Sequence, residues 1–485
     1  MWEARLGGCL MKAILDWDAT TLAEKIRNGE VTVTEATEKY IRQIKTVNPQ
    51  LNALVENRFA EALVEAKQCD ELLQEGKAQG RLFGVPISMK EALDVAGMHS
   101  TGGLKHRKNV VAGEDAVAVA RLRQEGAIIL GKTNTPALCF CQETDNKLFG
   151  RTNNPWDLEL TCGGSTGGEG ALIAVGGAAV GFGADIGGSI RFPAHFNGIV
   201  GFKSGNGQVS AQGHFPAIDQ PLQVRMLGLG AMAKSVADAE LINDIVADNP
   251  PPEVRPDEFT LTVYAKDDRI PLGEETEACL KNIARYFSRD YHVDNTPPPF
   301  LHQVSLMWQL IMSHDENGQF LAGAFGDHPF HPVWEYVKEV VTRSSEYHRY
   351  LTWAFIGAGL FKPSQKQLTQ LKADLAKADE AAKSYFAKRV LVLPVYHTAA
   401  LPHGGLYREI FSIKKTFLRY MPYIALANVL GLPSLIVPVG EDSRGLPIGV
   451  QLVSAVGNER ALFHYGRQLE EHFRGYVRCT KYDNF

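Results

Sequence analysis

The 485-residue sequence has no apolar run of the roughly 18 to 20 residues that a bilayer-spanning helix requires. Its first residues lack the apolar core and the cleavage pattern of a secretory signal peptide. Neither sign of charge is in large excess, because 50 Lys and Arg against 55 Asp and Glu give a formal net charge of -5. We therefore predict a protein without a stable membrane anchor, and its charge gives no reason to expect nucleic acid as a partner.

Cysteine is sparse, with seven residues scattered along the chain. Secreted disulfide frameworks are denser, so we expect a cytoplasmic location. Cys139 and Cys141 are one residue apart, but no second pair follows at metal-ligand spacing. No HExxH helix appears among the fourteen histidines. We expect neither a metal nor a cofactor.

The apolar pattern predicts a single α/β domain over residues 11–485. Capping-box spacings at Thr21 to Glu24 and at Thr32 to Glu35 predict helix starts near the N-terminus. Short β-like runs then alternate with glycine-rich turns and alanine-rich helical stretches. The expected divisions are a disordered extension (1–10), an N-terminal helical region (11–75), a glycine-rich core (76–245), an aromatic-rich segment (300–390) and a return to the core (390–485). Met1 and Met11 both stay open as the natural start.

Two glycine-rich segments each place a serine in a run that tolerates unusual backbone angles. They are CGGSTGGE (162–169) and ADIGGSIR (184–191). Neither contains the Gly-Lys-Ser/Thr of a P-loop or fits the dinucleotide-binding GxGxxG pattern, and Ser189 does not lie in a GxSxG elbow. On these residues alone, tight turns and a phosphate-cradling loop stay open beside an acyl-transfer site.

An acyl-transfer site needs an activated hydroxyl, a base and backbone N–H groups aimed at the developing oxyanion. Gly187 and Gly188 let the backbone before Ser189 curl without a Cβ, so this segment can supply such donors. No Ser-His-Asp set accompanies it. The candidate base is Lys90, in GVPISMKEALD (84–94), and the alternative interpretation of this residue is a solvated surface lysine.

The chain resembles the amidase signature family over most of its length. The segments that carry this resemblance, in the family's order, are LFGVPISMKEALD (82–94), GKTNTPALCFCQETDNKLFGRTNNPWD (131–157), GGSTGGEGALIAVGGAAVGFGADIGGSIRFPAHFNGIVGFK (163–203), NVLGLPSLIVPVG (428–440) and GLPIGVQLV (445–453). The resemblance implies a large mixed, twisted β-sheet flanked by helices on both faces, with an N-terminal helical region. It also makes 76–245 the catalytic core and 300–390 the variable substrate-pocket region.

The resemblance further implies a Ser-Ser-Lys triad. Ser189 is the expected nucleophile, and Ser165, after a cis peptide bond, passes a proton between Ser189 and Lys90. Lys90 must be uncharged to act as the base, and burial disfavours the charged amine. The implied oxyanion hole consists of the backbone N–H groups of Ile186, Gly187, Gly188 and Ser189.

Three neighbours of the two serines are expected to hold the turns by hydrogen bonds, namely Asp185, Arg191 and Thr166. Thr166 departs from the family's commoner serine, and Cys162 replaces a common proline. Neither departure touches the triad, so they bear on the subfamily rather than on activity.

The function implied is hydrolysis of a carboxylic amide to an acid and an amine or ammonia, with ester hydrolysis left open. The motifs look most like the fatty-acid amide hydrolase and general bacterial amidase branch. The aromatic residues after 300 predict a substrate with a hydrophobic acyl or aryl group. One alternative is the A subunit of a glutamyl-tRNA-type amidotransferase, against which Ile186 argues because that protein typically has threonine there. A non-catalytic scaffold is the other, and a homodimer is left open.

Overall fold

The computed structural model describes residues 14–315, 318–411 and 414–483. The expectations for residues 1–10, and for Met1 or Met11 as the start, lie outside these ranges. No helix within the ranges is both long and apolar enough to cross a membrane.

The apolar runs of the sequence form a large mixed sheet. The strands, in chain order, are β1 (Leu54–Asn57), β2 (Pro86–Lys90), β3 (Ile128–Thr133), β4 (Asn153–Asn154), β5 (Asp157–Thr161), β6 (Val180–Asp185), β7 (Val200–Lys203), β8 (Gly228–Ala233), β9 (Thr260–Val263), β10 (Val293–Asp294), β11 (Arg389–Pro394), β12 (Ser434–Glu441) and β13 (Pro447–Val453). Eleven of these described strands make one sheet in the order β1-β3-β2-β6-β8-β7-β12-β13-β11-β9-β10, and β4 pairs with β5. Strand β2 runs parallel to β3 and β6, whereas β8 is antiparallel to β6 and β7.

Helices flank this sheet. They are α1 (Ala19–Arg27), α2 (Val33–Leu51), α3 (Phe59–Gln74), α4 (Val117–Gln124), α5 (Gly167–Ala174), α6 (Arg191–Asn197), α7 (Pro221–Val224), α8 (Val236–Val246), α9 (Glu274–Phe287), α10 (Val304–Met312), α11 (Gln319–Phe325), α12 (Pro332–Thr342), α13 (Arg349–Leu360), α14 (Gln365–Phe386), α15 (Gly405–Phe411), α16 (Lys414–Tyr420), α17 (Pro422–Val429) and α18 (Glu459–His472). The expected mixed sheet with flanking helices and an N-terminal helical region is confirmed.

The two predicted capping boxes have different outcomes. The box of Thr32 and Glu35 is present at the start of α2. The prediction for Thr21 is wrong, because α1 begins earlier and Asp18 is its N-cap, accepting from the Thr21 N–H. Asp18 is itself a favoured N-cap residue, so both starts were chemically allowed and tertiary contacts decided between them.

The order of the strands brings the segment that contains Lys90 next to the segment that contains Ser189. Lys90 is the last residue of β2, and Asp185 is the last residue of β6. These strands are parallel neighbours, so their carboxyl ends meet at one edge of the sheet. Lys90 therefore lies beside the loop that leads from Asp185 to Ser189.

A buried carboxylate attaches the N-terminal helices to this core. Asp238, in α8, accepts hydrogen bonds from the Ala19 and Thr20 backbone N–H groups at 2.7 and 2.8 Å and from the Thr20 hydroxyl at 2.9 Å. Burial and nearby Asp18 raise the pKa of Asp238 to about 7. Two backbone donors at the start of α1 thus have their acceptor on α8.

We expect Asp238→Ala to lower the free energy of unfolding by about 3 kcal/mol at pH 8, because it leaves buried backbone N–H groups without an acceptor. Urea unfolding of the purified chain would measure the change. Asp238→Asn keeps one side-chain oxygen and should lose less, and Asp248→Ala at an exposed ion pair should lose little. Equal losses in Asp238→Ala and Asp248→Ala would contradict this role.

Candidate active site

Lys90 is buried, with 1% of its surface exposed, and its Nζ donates a 2.7 Å hydrogen bond to Ser165 Oγ. Within the described part of the chain, no carboxylate oxygen lies within 4.0 Å of this Nζ to form an ion pair. The Gly164–Ser165 peptide bond is cis, the conformation that the resemblance implied. The alternative of a solvated surface lysine is therefore wrong.

Glycine is required beside Ser165 because the backbone passes very close to another segment. A Cβ on Gly164 would lie 2.8 Å from the Cys141 carbonyl oxygen and 2.8 Å from the Glu143 nitrogen. Gly163 has a φ of +79°, which L side chains rarely adopt. Close packing and a positive φ therefore account for the glycines of the first segment, so the alternative of a phosphate-cradling loop is not needed to explain them.

The peptide groups from Ile186 to Ser189 are turned by hydrogen bonds to their carbonyl oxygens. These bonds come from the Trp308 indole to Ile186 (2.7 Å), the Gln142 amide to Gly187 (3.1 Å) and the Thr166 N–H to Ser189 (3.0 Å). Among the described residues, the N–H groups of Ile186, Gly187 and Ser189 have no acceptor of their own. These three residues line a cavity that Lys90 and Ser165 also line.

In the described part of the chain, the Gly188 N–H has an acceptor, unlike those of its neighbours, although the resemblance counted it among the four oxyanion-hole donors. Its N–H donates to Asp185 Oδ1 at 2.8 Å, and Gly188 does not line the cavity. Its carbonyl accepts from the Phe192 N–H at 2.8 Å. With both backbone groups bonded, Gly188 shapes the turn, and three of the four expected N–H donors remain available.

Asp185 and Arg191 form a fully buried ion pair at 3.0 Å across this turn. Burial alone would raise the pKa of Asp185, but the Arg191 guanidinium, with Lys203 and Asn428, holds it below its usual range. Besides Gly188, the carboxylate accepts from the Ile190 N–H at 3.1 Å. The ionised pair therefore fixes the backbone on both sides of Ser189.

Ser189 is 5% exposed and lines the cavity with Ser165. Within the described residues, no hydrogen bond joins the two serine hydroxyls, so the second link of the expected relay is not formed here. Hydrogen bonds of catalytic groups often tighten only when substrate binds. Two of the three residues expected to form the triad, Lys90 and Ser165, are thus directly bonded, and the third shares their cavity.

The rest of the cavity wall is mostly apolar. Its aromatic and aliphatic members include Phe140, Trp308, Met312, Trp353, Leu360, Phe361, Ile410 and Phe417. Most of these residues belong to the segment after 300, which the sequence singled out for its aromatic content. Phe417 also packs against Trp308, with their ring centroids 5.5 Å apart and their planes tilted by 35°.

A buried acid, Glu169, interacts electrostatically with Lys90. Its carboxyl group accepts from Ser88 Oγ at 2.5 Å and from Thr133 Oγ1 at 2.9 Å. Burial raises the pKa of Glu169 to about 8, and these hydroxyls and Lys90 offset only part of that rise. At neutral pH this group is therefore mostly uncharged.

Thr166 Oγ1 donates to the Ala184 carbonyl at 3.3 Å, a hydrogen bond across 18 positions that connects the two glycine-rich segments. Sequence reasoning missed Gln142, Trp308 and Glu169. Gln142 lies within one of the segments shared with the family but carries no distinguishing spacing, and Trp308 was visible only as one aromatic residue among many. No signal in a single sequence shows that these side chains meet the two loops.

The chain is similar to known proteins in both sequence and fold. The profile of the amidase family matches residues 35–463. Fatty-acid amide hydrolase 2-B of Danio rerio is 34% identical to this chain, over an alignment that covers 96% of this chain and 91% of the relative. The A subunit of the glutamyl-tRNA(Gln) amidotransferase of Lachnospira eligens is 30% identical, covering 95% and 98%. The structure of a 6-aminohexanoate cyclic dimer hydrolase superposes with a TM-score of 0.78 at 25% identity, covering 97% of this chain and 99% of the other.

The fold and the cavity define an enzyme that hydrolyses amides. The chain belongs to the amidase family, whose members carry the amidase signature.

The raised pKa of Glu169 gives a stability contribution with a defined sign. The native state holds the proton more tightly than the unfolded chain, whose carboxyl has the usual value of 4.5. The contribution is therefore complete below about pH 4.5 and is lost as pH rises through about 8. Relative to Glu169→Gln, which cannot titrate, the wild type should lose about 1 kcal/mol of unfolding free energy per pH unit between pH 5 and 8.

Urea unfolding at pH 5, 6.5 and 8 and constant ionic strength would measure this difference. Glu258→Gln is the control, because the pKa of exposed Glu258 is lowered by Lys388 and its carboxylate is ionised in both states over this range. A wild-type advantage over Glu169→Gln that stays constant with pH would mean that Glu169 is ionised in the native state.

Proposed function

We propose that this chain is a stand-alone serine amidase with Ser189 as nucleophile, Ser165 as proton relay and Lys90 as base. The observation that carries the proposal is the buried 2.7 Å hydrogen bond between Lys90 and Ser165, in the cavity that Ser189 also lines. This contact joins the lysine nitrogen directly to the hydroxyl with which a base would exchange a proton. Segment 300–390 supplies much of the substrate pocket in this proposal.

The first step moves a proton away from the nucleophile. Neutral Lys90 accepts the Ser165 hydroxyl proton along the existing contact, and Ser165 takes the proton of Ser189 as the nucleophile attacks the carbonyl carbon. The same path in reverse delivers the proton to the leaving amine. Water then attacks the acyl-Ser189 ester, and the triad again removes and returns a proton.

The developing oxyanion needs hydrogen-bond donors that are already oriented. The unbonded N–H groups of Ile186, Gly187 and Ser189 are our candidates, and Gly188 leaves this role because its N–H is bonded to Asp185. Two hydrogen bonds support the proposal. The Trp308 bond to the Ile186 carbonyl holds the peptide group that carries the Gly187 N–H, and the Phe192 N–H bond to the Gly188 carbonyl holds the peptide group that carries the Ser189 N–H.

The apolar cavity wall favours an amide with an extended hydrophobic acyl or aryl group. One relative is named a fatty-acid amide hydrolase, and another is named an indoleacetamide hydrolase. Both names describe amides with apolar groups, which fits the wall. The A subunit of an amidotransferase stays the alternative, because one such protein is 30% identical to this chain.

We expect a fluorophosphonate probe to add once to the purified chain, at Ser189, as shown by intact mass and peptide mapping. Ser189→Ala should abolish the adduct and lower amide turnover by at least about 1,000-fold, because the nucleophile is gone. Ser165→Ala and Lys90→Met should slow labelling strongly, since each interrupts the proton path.

Matched controls separate loss of chemistry from loss of fold. Ser204→Ala removes a buried serine that bonds the Leu229 N–H outside the cavity. Lys132→Met removes a buried lysine that bonds the His99 carbonyl, also outside the cavity. Both should still be labelled. If the folded wild-type chain is not labelled from pH 6 to 10, the stand-alone proposal fails, and labelling only with added partner chains would favour the amidotransferase alternative.

A substrate series tests the acyl preference. We expect kcat/KM for octanamide to exceed that for acetamide by at least about 100-fold, because each buried methylene contributes about 0.8 kcal/mol. Ala358→Trp fills the apolar wall and should reduce the octanamide value more than the acetamide value. Ala373→Trp, at an exposed position of α14, is the control. A preference for acetamide would overturn the hydrophobic assignment.

A further inference from the structure

Cys139 brings a thiol into the same cavity as the two serines. It ends a short helical turn, Ala137–Cys139, in which Leu138 and Cys139 have φ values of +55° and +59°. The turn is held by the Leu138 N–H, which donates to the Gly102 carbonyl at 2.8 Å. The thiol lies 3.4 Å from the Thr135 hydroxyl, which donates in turn to the Ser165 carbonyl at 2.9 Å. The amide mechanism uses no thiol.

A second group of the cavity wall, His214, also has no role in that mechanism. It is 8% exposed, and its Nδ1 lies 3.0 Å from the Pro216 carbonyl oxygen. A carbonyl can only accept, so Nδ1 carries the proton and the Nε2 lone pair is left over. Nε2 is buried without a hydrogen-bond partner among the described residues. A buried basic nitrogen of this kind needs a proton donor or a ligand.

The positive charge that His214 gains with the thiol proton favours the thiolate of Cys139. Burial alone would raise the pKa of this thiol, but Lys90 and His214 in their protonated forms lower it to about 6. Two other partly exposed thiols behave in the opposite way. Burial raises the pKa of Cys69 to about 11, and it also raises the pKa of Cys279. The chain thus contains its own comparison thiols.

We propose that Cys139 and His214 form a nucleophilic thiol site, separate from Ser189, that is modified by apolar α,β-unsaturated carbonyl compounds and thereby blocks the cavity. His214 Nε2 takes the thiol proton, and the sulfur forms a bond to the β-carbon of the compound. The carbon–carbon π pair moves to the α-carbon, which receives the proton from His214. No oxidant or leaving group is needed.

The position of the adduct explains its effect. Cys139 lines the cavity together with Lys90, Ser165 and Ser189, so an added group occupies space that an amide would use. The neighbouring apolar side chains, among them Phe140 and Trp353, favour an apolar electrophile over a charged one. Only the effect on amide turnover rests on the proposed function, since the thiol reaction stands on the cavity geometry.

The test uses N-ethylmaleimide on the full chain at pH 7, with peptide mapping over time. Cys139 should be modified at least about tenfold faster than Cys69 and Cys279, because His214 in the same cavity can take its proton, whereas the pKa values of the other two thiols are raised. His214→Gln keeps an amide of similar size but no base, and it should slow Cys139 by at least about fivefold without changing Cys69. Equal rates at Cys139 and Cys69 in the wild type would overturn the proposal, whether or not the His214 variant folds.

A second measurement tests the block. Modified wild type should lose fluorophosphonate labelling at Ser189 in proportion to the occupancy of Cys139. Cys139→Ser, treated in the same way, should keep the labelling rate of its own untreated sample. Full labelling of Ser189 beside a modified Cys139 would disprove the block. If untreated wild type is not labelled at all, the amidase proposal fails, while the maleimide rates still decide the thiol proposal.

Discussion

The carboxylate of Asp185 and the guanidinium of Arg191 meet at 3.0 Å with no exposed surface, at the end of β6 and the start of α6. Removing one partner of such a pair leaves a buried charge and typically costs about 3 to 5 kcal/mol. The pair also bonds the backbone between its members, through Gly188 and Ile190. The ion pair therefore fixes the backbone at Gly188 and Ile190, on either side of Ser189, while Trp308 and Gln142 in the cavity wall hold the carbonyl groups of Ile186 and Gly187.

The surroundings of Lys90 differ from those of Arg191, because no ionised carboxylate is paired with this lysine among the described residues. A lysine placed beside an ionised carboxylate would stay protonated, because an opposite charge within a few ångströms favours the charged amine. The buried acid Glu169, which interacts electrostatically with Lys90, has a pKa raised to about 8 and is mostly neutral at pH 7. Its hydrogen bonds with Ser88 and Thr133 connect β2, β3 and α5, so it holds the strands around Lys90 without supplying a full negative charge.

The sequence could predict the parts of this site that depend on local chemistry. Glycine at 163, 164, 187 and 188, serine at 165 and 189, and lysine at 90 form a recognisable order, and the strand-like runs indicated a sheet. It could not predict which backbone N–H groups stay without an acceptor. The Gly188 N–H donates to the Asp185 carboxylate, and only the folded turn shows that Asp185 bonds this N–H and leaves those of Gly187 and Ser189 free. The roles of Trp308 and Gln142 arise from contacts across 122 and 45 positions, which no periodicity records. The start of α1 at Ala19 was missed for a similar reason, since its first N–H groups are bonded by Asp238, more than 200 positions away.

The hydrogen bond from Trp308 to Ile186 connects the apolar wall of the cavity to the loop that precedes Ser189. Its indole N–H fixes a peptide group of the Ser189 loop, and its ring forms part of the apolar wall. A Cβ on Gly187 would lie 2.6 Å from that ring, so the loop and the wall are packed with no space for adjustment. Substrate shape and donor geometry are therefore coupled through one side chain of α10. Changes elsewhere in the segment after 300 can alter the wall without moving the loop, whereas a change at Trp308 must affect both.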